Sequence, residues 1–424
     1  MIRRATVLLA IVGLTAGGSQ LRAADLGGSC CADLEERIAE LEATTARKGN
    51  RKVSLTISGW VNEAVFFWDD GEESNAYVGT NSLEQDRVKF AGEAKIDADW
   101  SAGYTLEMGI NGAPSNQFSQ DSDGRTGTTQ TAVSVRHAYW FVKSKTFGSV
   151  RVGQTGTATY HLLDDADAAN TRNYSDAEAA AVAIAQFKTR IDGVLSNTWA
   201  SYLGGFNNRT PGQEGRRNVV RYDSAAIAGF VFTTAWGDDD IWDAALTYKG
   251  EIGDFKLLGR AGYGKSTNPI TQGNRCANPG SGDCQWWGAA GTIMHQPTGL
   301  YVYAGFGEEH VDGIPATFDD VNSMWFVQAG IEREWCSLGT TTIFAEYRND
   351  EAGLASTSTT IGGSQVTSSD IDFLALGVVQ NVSAAALDLY AIYRHTDGDA
   401  STENGLTTDL DEFDMVITGA RIQF

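Results

Sequence analysis

The chain has 424 residues, of which 48 are glycine and only 6 are proline, and 42% of its residues are hydrophobic. This apolar content is enough for a packed structure, and glycine shows no three-residue period, so disorder and a collagen helix are excluded. The 54 acidic and 32 basic residues give a formal net charge of −22. Such a chain would repel a phosphate backbone, so no nucleic acid partner is expected.

Residues 1–24 have the features of a signal peptide. Arg3 and Arg4 precede a short apolar core, and Ala23 and Ala24 are the small residues after which a signal peptidase cuts. Removing residues 1–24 takes away three arginines and no acid, which changes the net charge from −22 to −25. No apolar run approaches the roughly 18 to 20 residues of a membrane-spanning helix, so insertion into a bilayer would require a β-barrel.

Residues 25–52 form a predicted periplasmic segment with a short helix over residues 33–46. Leu34, Ile38 and Leu41 recur on one helical face, and Asp33 is suited to the N-cap position. The face is narrow. A short coiled coil between subunits and a solvated spacer are both compatible with this pattern.

Charged and apolar residues alternate from Arg87 to Trp100, which is the clearest two-residue period in the chain. Such a strand has one charged face and one apolar face. In a soluble sandwich the apolar face packs against a second sheet. In a membrane barrel it faces lipid, and the charged face lines a wet interior. The alternation alone leaves both folds open.

Patterns of this kind predict sixteen strands after Val53. Their predicted bounds are 53–67, 87–99, 103–112, 132–143, 147–154, 217–225, 229–236, 242–249, 254–264, 285–294, 299–308, 323–333, 340–348, 370–379, 386–394 and 411–424.

The connections between these strands alternate in length. Residues 99–102, 144–146 and 250–253 are tight turns, whereas residues 112–131 and 265–284 are long polar segments. Short turns at one rim and long loops at the other are typical of transmembrane barrels. The sequence therefore predicts an all-β fold, a 16-stranded antiparallel transmembrane β-barrel over residues 53–424. Aromatic residues near predicted strand ends are interpreted as girdles at the bilayer interfaces, namely Phe66, Phe67, Trp68, Trp100, Tyr104, Trp286 and Trp287.

The third long loop, residues 155–216, is far longer than an ordinary connection, and a loop of about sixty residues is normally functional. Its first part carries Asp164, Asp165 and Asp167. A 16-stranded barrel encloses an open aqueous channel, so folding this loop inward is the simplest way to narrow the channel. A solvent-exposed acidic loop is the alternative.

The chain resembles the alphaproteobacterial porins, which are general-diffusion porins of the bacterial outer membrane. The resemblance covers nearly all of the chain after the signal peptide. It rests on Arg87-Val-Lys-Phe-Ala-Gly-Glu93, Arg136-His-Ala-Tyr-Trp-Phe-Val-Lys143, Asn218-Val-Val-Arg-Tyr-Asp-Ser224 and the terminal Phe424.

This resemblance implies a water-filled channel for passive diffusion of ions and small hydrophilic solutes. It implies a homotrimer in the bacterial outer membrane, among lipid and lipopolysaccharide, with no cofactor and no enzyme activity. The final strand, ending in Phe424, resembles the signal that the outer-membrane assembly machinery reads.

The resemblance also implies which residues line the constriction, because family members place arginines on the wall opposite an acidic third loop. The matching wall positions are Arg87 and Arg136, with Arg221 nearby, and three further basic residues share strand parity with lumen positions, Lys89, Arg217 and Arg151. The loop acids would be Asp164, Asp165 and Asp167. Opposed charges create a transverse field in the water of the pore. The acidic mature chain favours a weak preference for cations.

Other function classes find little support in the sequence. The five histidines do not stand at metal-ligand spacing with cysteine or acid, so no metal site is expected. A structural or adhesin barrel without an open pore, and an outer-membrane hydrolase, remain as alternatives. Single-channel conductance separates these from a porin.

Five cysteines occur in this exported chain. Cys276 and Cys284 flank a loop rich in Asn, Pro, Gly and Ser, and a disulfide between them is the favoured interpretation. Cys30, Cys31 and Cys336 remain, and their pairing is open.

Overall fold

The computed structural model describes residues 53–110, 112–124, 133–174, 183–206, 209–237, 240–267, 283–354 and 359–424. The predicted signal peptide and the predicted helix at residues 33–46 lie outside these ranges, as do Cys30, Cys31 and Cys276. These assignments stay predictions.

Sixteen strands, numbered in chain order, form one antiparallel sheet that closes on itself. They are β1 Thr56–Asp69, β2 Arg87–Lys95, β3 Trp100–Ile110, β4 Val133–Ser144, β5 Gly148–Gly156, β6 Arg216–Asp223, β7 Phe230–Gly237, β8 Ile241–Ile252, β9 Phe255–Ser266, β10 Cys284–His295, β11 Leu300–Val311, β12 Val321–Cys336, β13 Gly339–Ala352, β14 Ser364–Val382, β15 Leu387–Thr402 and β16 Thr407–Gln423. Because β1 pairs with β16 on one side and with β2 on the other, the ring is closed. The predicted 16-stranded antiparallel barrel is confirmed.

Short elements lie in the connections between these strands. They are the strands Ser74–Thr80, Phe118–Ser119, Ser122–Asp123, Lys188–Ile191, Val194–Thr198 and Thr360–Ile361, and the 3₁₀ helices Ser82–Glu84, Ser115–Gln117, Asp164–Ala166, Trp199–Tyr202 and Ser383–Ala385. The ranges given above contain no α-helix. None of their helices is long and apolar enough to cross a membrane.

The strands bury one face and expose apolar side chains on the other. On β10, Trp286 and Met294 are buried, whereas Trp287 and Ile293 are 42% and 57% exposed. An outer surface covered by large apolar side chains is what a lipid-facing barrel requires. The buried faces of the strands are turned towards the barrel interior.

The predicted aromatic girdles are wrong for part of the set. Phe66, Trp68 and Trp286 are buried on the interior face, whereas Phe67, Trp100 and Trp287 are exposed. Successive side chains on a strand point to opposite faces, so neighbouring aromatics cannot all face lipid.

The turn between β2 and β3 lies earlier than predicted, at residues 96–99 instead of 99–102. The Asp97 side chain accepts hydrogen bonds from the backbone N–H groups of Asp99 and Trp100, both at 2.8 Å. These two hydrogen bonds form a tight turn that is stabilised by the aspartate side chain. The turn ends before Trp100, the first residue of β3.

An inward excursion interrupts the second strand position of the barrel at residues 81–86. Ser74–Thr80 pairs with the second half of β1, Glu63–Asp69, and β2 pairs with the first half, Thr56–Trp60. The residues between Thr80 and Arg87 make no strand pairing with β1. The Asn81 side chain caps the backbone N–H of Leu83, and Asn62 Nδ2 donates to the carbonyl of Glu84 at 3.0 Å. The excursion therefore places Glu84 on the interior side, where it is buried.

The cysteines are only partly covered by the described ranges. Cys284 is fully buried and disulfide-bonded. Because Cys276 lies outside those ranges, its pairing with Cys284 stays a prediction. Cys336 ends β12 as a free, exposed thiol.

The chain terminus completes the closure of the barrel. The N–H of Gly59 donates to the carbonyl of Phe424, and the N–H of Phe424 donates to the carbonyl of Gly59, both at 3.0 Å. The terminal residue thus adds the last rung between β16 and β1.

We expect deletion of Phe424 to lower the free energy of unfolding by about 1–2 kcal/mol, because two backbone hydrogen bonds of about 1 kcal/mol each are lost. Phe424→Ala keeps both bonds and is the matched control. Guanidinium denaturation of the barrel in detergent micelles measures both variants. Equal losses in the two variants would contradict the assignment of this stability to the backbone rung.

Candidate functional site

The third loop, residues 157–215, begins on an anchor in the wall. Asp243 of β8 accepts the backbone N–H groups of Ala158 and Thr159 at 2.9 and 2.7 Å, and the Thr159 hydroxyl at 2.7 Å. Trp286 Nε1 of β10 donates to the same hydroxyl oxygen at 3.0 Å. These buried bonds fix the point at which the chain leaves β5.

The loop then contacts the buried faces of successive strands. The Tyr303 hydroxyl of β11 donates to the carbonyl of Leu163 at 2.8 Å, and the Thr292 hydroxyl of β10 donates to the carbonyl of Ala166 at 2.6 Å. Lys256 Nζ of β9 donates to the carbonyl of Ala168 at 3.0 Å.

Residues 170–174 reach strands further around the ring. The N–H of Asn170 donates to Glu332 of β12 at 2.7 Å, and the Asn170 side chain donates to Asp388 of β15 at 3.3 Å. The Tyr174 hydroxyl also donates to Asp388, and its ring stacks on Tyr390 of β15 at 4.8 Å. The first part of the loop is therefore bonded to strands between β8 and β15.

Near its end, at Pro211 and Gly212, the loop backbone packs directly against the backbone of the barrel wall. A Cβ added at Gly307 of β11 would lie 1.9 Å from the carbonyl oxygen of Pro211, and one added at Gly212 would lie 2.5 Å from Cα of Gly307. Gly212 has a φ of +94°, which favours glycine. Glycine at both positions is what allows the loop to touch the wall here.

A set of ion pairs joins the loop to two parts of the wall, and we call it the ion network. On the wall, Arg136 Nε of β4 lies 3.0 Å from Glu107 Oε1 of β3. Arg87 of β2 lies 3.4 Å from the same carboxylate oxygen and also pairs with Glu84.

On the loop, Arg172 is the centre of the ion network. Its guanidinium lies 3.2 Å from Glu84, 2.9 Å from Asp164 and 3.2 Å from Asp165. Arg260 of β9 closes the series at 2.8 Å from Asp165. Positive and negative groups thus alternate from β4, through the excursion and the loop, to β9.

The members of the ion network differ in their access to water. The side chains of Arg87, Arg136, Glu84 and Asp164 are all less than a tenth exposed. By contrast, Asp165 is 45% exposed and Arg172 is 24% exposed. Solvent therefore meets chiefly Asp165 and Arg172, both of which the loop carries.

The pairing keeps the buried acids ionised. Burial alone would raise the pKa of Glu84, but Arg87, Arg172 and Arg136 outweigh it and lower that pKa to about 2. Burial likewise opposes ionisation of Asp164, yet the adjacent His161 and Arg172 hold its pKa well below the usual range. Opposite charges at contact distance favour the charged form of each partner.

Asp167 stands apart from the ion network. It accepts the Thr171 hydroxyl at 2.5 Å and the N–H of Ala169 at 2.7 Å. Burial raises its pKa to about 6, and Glu332 adds to the shift. Of the three predicted loop acids, Asp164 and Asp165 join the charged wall and Asp167 does not.

A β-bulge sets the position of Arg136. The pairing passes from Glu107 opposite His137 to Met108 opposite Val135, so Arg136 has no partner of its own in the register. Arg136 is buried on the interior side, and its neighbour Val135 is exposed on the outer side. Bulges re-aim side chains in this way beside functional sites.

The other predicted wall residues are not members of the ion network. Arg151 and Arg221 both pair with Asp223, at 2.7 and 2.8 Å. Arg217 pairs with Glu214 at 3.4 Å. Lys89 lies opposite Glu107 in the β2–β3 register, on the same face as Arg87.

Four residues of the ion network were not predicted from the sequence, namely Glu84, Glu107, Arg172 and Arg260. Glu84 stands in a stretch, residues 81–86, that breaks the two-residue period, and this break was the available signal. Glu107 and Arg260 occupy interior positions of predicted strands and could have been found from parity. No local pattern marks Arg172.

The described ranges contain no group of three or more histidine, cysteine, aspartate or glutamate side chains placed to hold a metal ion. The charged groups of the site are paired with each other. Their arrangement is suited to an electric field across water, which requires fixed charges of both signs.

The sequence matches the Gram-negative porin family over residues 9–401, so the chain belongs to that family. No curated protein matches the sequence at a significant level. The fold is similar to that of OmpF of Salmonella typhi in complex with daunomycin, at 14% identity over 89% of this chain and 99% of that chain, with a TM-score of 0.54.

Two further solved structures share the fold. The anion-selective porin from Comamonas acidovorans is 15% identical over 88% of this chain and 100% of that chain, with a TM-score of 0.53. The trimer form of in-vitro folded OmpT of Vibrio cholerae is 13% identical over 88% of this chain and 99% of that chain, with a TM-score of 0.50. The chain is an outer-membrane porin that allows passive diffusion through a β-barrel.

We expect Asp243→Ala to destabilise the protein by about 3 kcal/mol or more, because two buried backbone N–H groups lose their acceptor. Guanidinium denaturation in micelles measures the loss. Asp254→Ala removes an exposed carboxylate from the turn between β8 and β9 and is the control. A cost for Asp243→Ala no larger than that of the control would show that Asp243 does not anchor the loop.

The raised pKa of Asp167 predicts a pH dependence of stability. Because the folded pKa of about 6 exceeds the ordinary aspartate value of 3.8, the carboxyl group stabilises the fold below about pH 4, and this contribution is lost as the pH rises through 6. Between pH 4 and pH 7 the wild type should lose about 2 kcal/mol relative to Asp167→Asn. Denaturation at a series of pH values measures the free energy of unfolding of both proteins. The same pH dependence of this free energy in wild type and Asp167→Asn would refute the prediction.

Proposed function

We propose that the third loop folds into the barrel and narrows its lumen at the ion network. Ions and small hydrophilic solutes then pass through the part of the lumen that the loop leaves open, beside the exposed side of the ion network. The observation that supports this most directly is the path of the loop, which bonds to buried faces of strands from β8 to β15. A loop lying outside the barrel could not reach these faces.

The charges act by their geometry and not by chemistry. The guanidinium and carboxylate groups of the ion network are held by contacts of about 3 Å, so they do not reorient when a solute passes. Fixed charges of both signs order the water beside them, and an apolar solute that displaces this water loses favourable dipole alignment. A polar solute replaces part of it and passes more easily.

The basic wall in this proposal consists of Arg87 and Arg136 at the narrowing, with Lys89, Arg217, Arg151 and Arg221 extending it along the lumen. Asp164 and Asp165 form the acidic side. Asp167 contributes at neutral pH, where it is ionised, and loses its charge below about pH 6. Because Asp165 is the most exposed charge of the ion network, we expect it to favour cations.

A homotrimer is supported by the unequal height of the wall. The strands β5, β6 and β7 have 9, 8 and 8 residues, whereas β14 and β16 have 19 and 17. A transmembrane strand needs about 9–11 residues, so the low side is short for lipid. Contact with neighbouring subunits would cover it. The OmpT relative has been solved in a trimer form.

The remaining partners follow from the outer-membrane location. Lipid and lipopolysaccharide would contact the apolar outer face, and the assembly machinery would read the last strand with Phe424. We also propose that the chain is an alphaproteobacterial porin without enzyme activity, and the motifs around Arg87 and Arg136 support this.

Single-channel recording in a planar bilayer tests the function. A porin gives large, stable conductance steps. Their absence in correctly folded protein would favour a structural or adhesin barrel, and hydrolysis of lipid or ester substrates would favour an enzyme.

We expect Asp165→Asn to shift the reversal potential across a salt gradient towards anions, because it removes the most exposed acidic charge at the narrowing. Asp320→Asn removes an exposed carboxylate from the connection before β12 and serves as the control. A shift of the same size in both variants would mean that overall charge, and not the loop position, sets selectivity.

A further inference from the structure

Two arginines and one aspartate form a separate cluster on the lumen wall. Arg151 of β5 and Arg221 of β6 lie directly opposite each other in the register. Like charges in this position repel, and Asp223 offsets the repulsion by pairing with both at 2.7 and 2.8 Å. Two positive charges therefore share one negative charge.

Every nitrogen of the Arg221 guanidinium donates a hydrogen bond within the protein. Its Nε and Nη2 donate to Asp223 at 3.1 and 2.8 Å, and its Nη1 donates to the carbonyls of Gly156 and Thr157 at 3.1 and 2.7 Å. Asp223 is occupied as well, since it also accepts the Thr233 hydroxyl at 3.1 Å. The polar groups of Arg221 and Asp223 are thus already engaged within the protein.

Arg151 is different. Its Nη2 donates to Asp223 at 2.7 Å, and no other protein acceptor within the described ranges meets its remaining N–H groups. The Arg151 side chain is 25% exposed. The guanidinium thus has an edge of donors turned towards water, with a fixed carboxylate behind it.

An aromatic ring of the neighbouring strand supports the Arg151 guanidinium. The ring of Tyr139 on β4 lies 5.5 Å from the Arg151 guanidinium carbon. Tyr139 is opposite Gly153 in the register, and a Cβ on Gly153 would lie 2.9 Å from Cα of Tyr139. Gly153 also has a φ of +132°, so the position demands glycine. The missing side chain leaves room for the aromatic support.

We propose that Arg151, backed by Tyr139 and Asp223, is a binding subsite for a compact oxyanion, a phosphate or a carboxylate group. The planar fork of a guanidinium matches two oxygens of such a group, and the local excess of one positive charge suits a monoanion. The inference rests on the proposed function, because the anion must reach the subsite through an open lumen.

The subsite lies on the side of the short turns. Arg151 is opposite Phe141 in the register, and Phe141 is five residues beyond Arg136 along β4, about 16 Å at 3.3 Å per residue. The turn between β4 and β5 is close by, at residues 145–147. An anion entering from that end meets Arg151 before it meets the ion network.

The test is single-channel recording in potassium chloride with inorganic phosphate added to one compartment at pH 7. We expect a saturable block by phosphate, stronger from the side that faces the short turns. In Arg151→Gln the half-blocking concentration should rise about tenfold, as expected for the loss of a hydrogen bond to a charged group. Arg151→Lys keeps the charge without the fork and should also bind phosphate more weakly than the wild type.

Lys249→Gln is the matched control, since Lys249 is an exposed cation on the interior side of β8, in the same strand parity as Asp243, and is not part of the proposed basic wall. Its half-blocking concentration should shift by less than about twofold. A conducting wild type without saturable block overturns the subsite, and so do equal shifts in the Gln variants or an unchanged Arg151→Lys. Absence of any conductance would instead refute the proposed function.

Discussion

The backbone hydrogen bonds of a membrane-spanning sheet have no alternative partner, because lipid cannot replace water as a donor or acceptor. An open edge on β1 or β16 would leave a row of polar groups in hydrocarbon. Closure of β1 onto both neighbours removes that edge, and the terminal rung at Gly59 and Phe424 extends the closure to the end of the chain.

Charges that are buried inside such a barrel need partners of opposite sign, since an isolated buried ion costs several kcal/mol. The ion network meets this condition with four basic and four acidic side chains. The acids do not all belong to the loop and the bases do not all belong to the wall. Glu84 and Glu107 are wall acids, and Arg172 is a loop base. The charges proposed to act on solutes are thus also the charges that hold the loop against the wall.

How much of this could be predicted depends on whether the determining interaction is local. Strand number and order were predictable because alternation is written into each strand separately. The excursion at residues 81–86 and the bulge at Arg136 were not, because both interrupt the period that reveals strands.

The charged site shows the same difference between features set locally and features set by contacts across the fold. Asp164 and Asp165 were predicted from their place in a long acidic loop, and the structure pairs them with arginines. The pairing of Arg151 and Arg221 with Asp223, and the burial that isolates Asp167, depend on contacts across strands. The role of Arg172 depends on Glu84, a residue 88 positions earlier.

The anchoring of the third loop has a consequence for folding order. The loop precedes β6 in the chain, yet Tyr174 bonds to Asp388, which lies 214 residues later. Contacts of such high sequence separation form slowly. The loop must therefore wait, without most of its hydrogen-bond partners, until the C-terminal strands have been made. Sealing β16 against β1 is then the step that commits the loop to its final position.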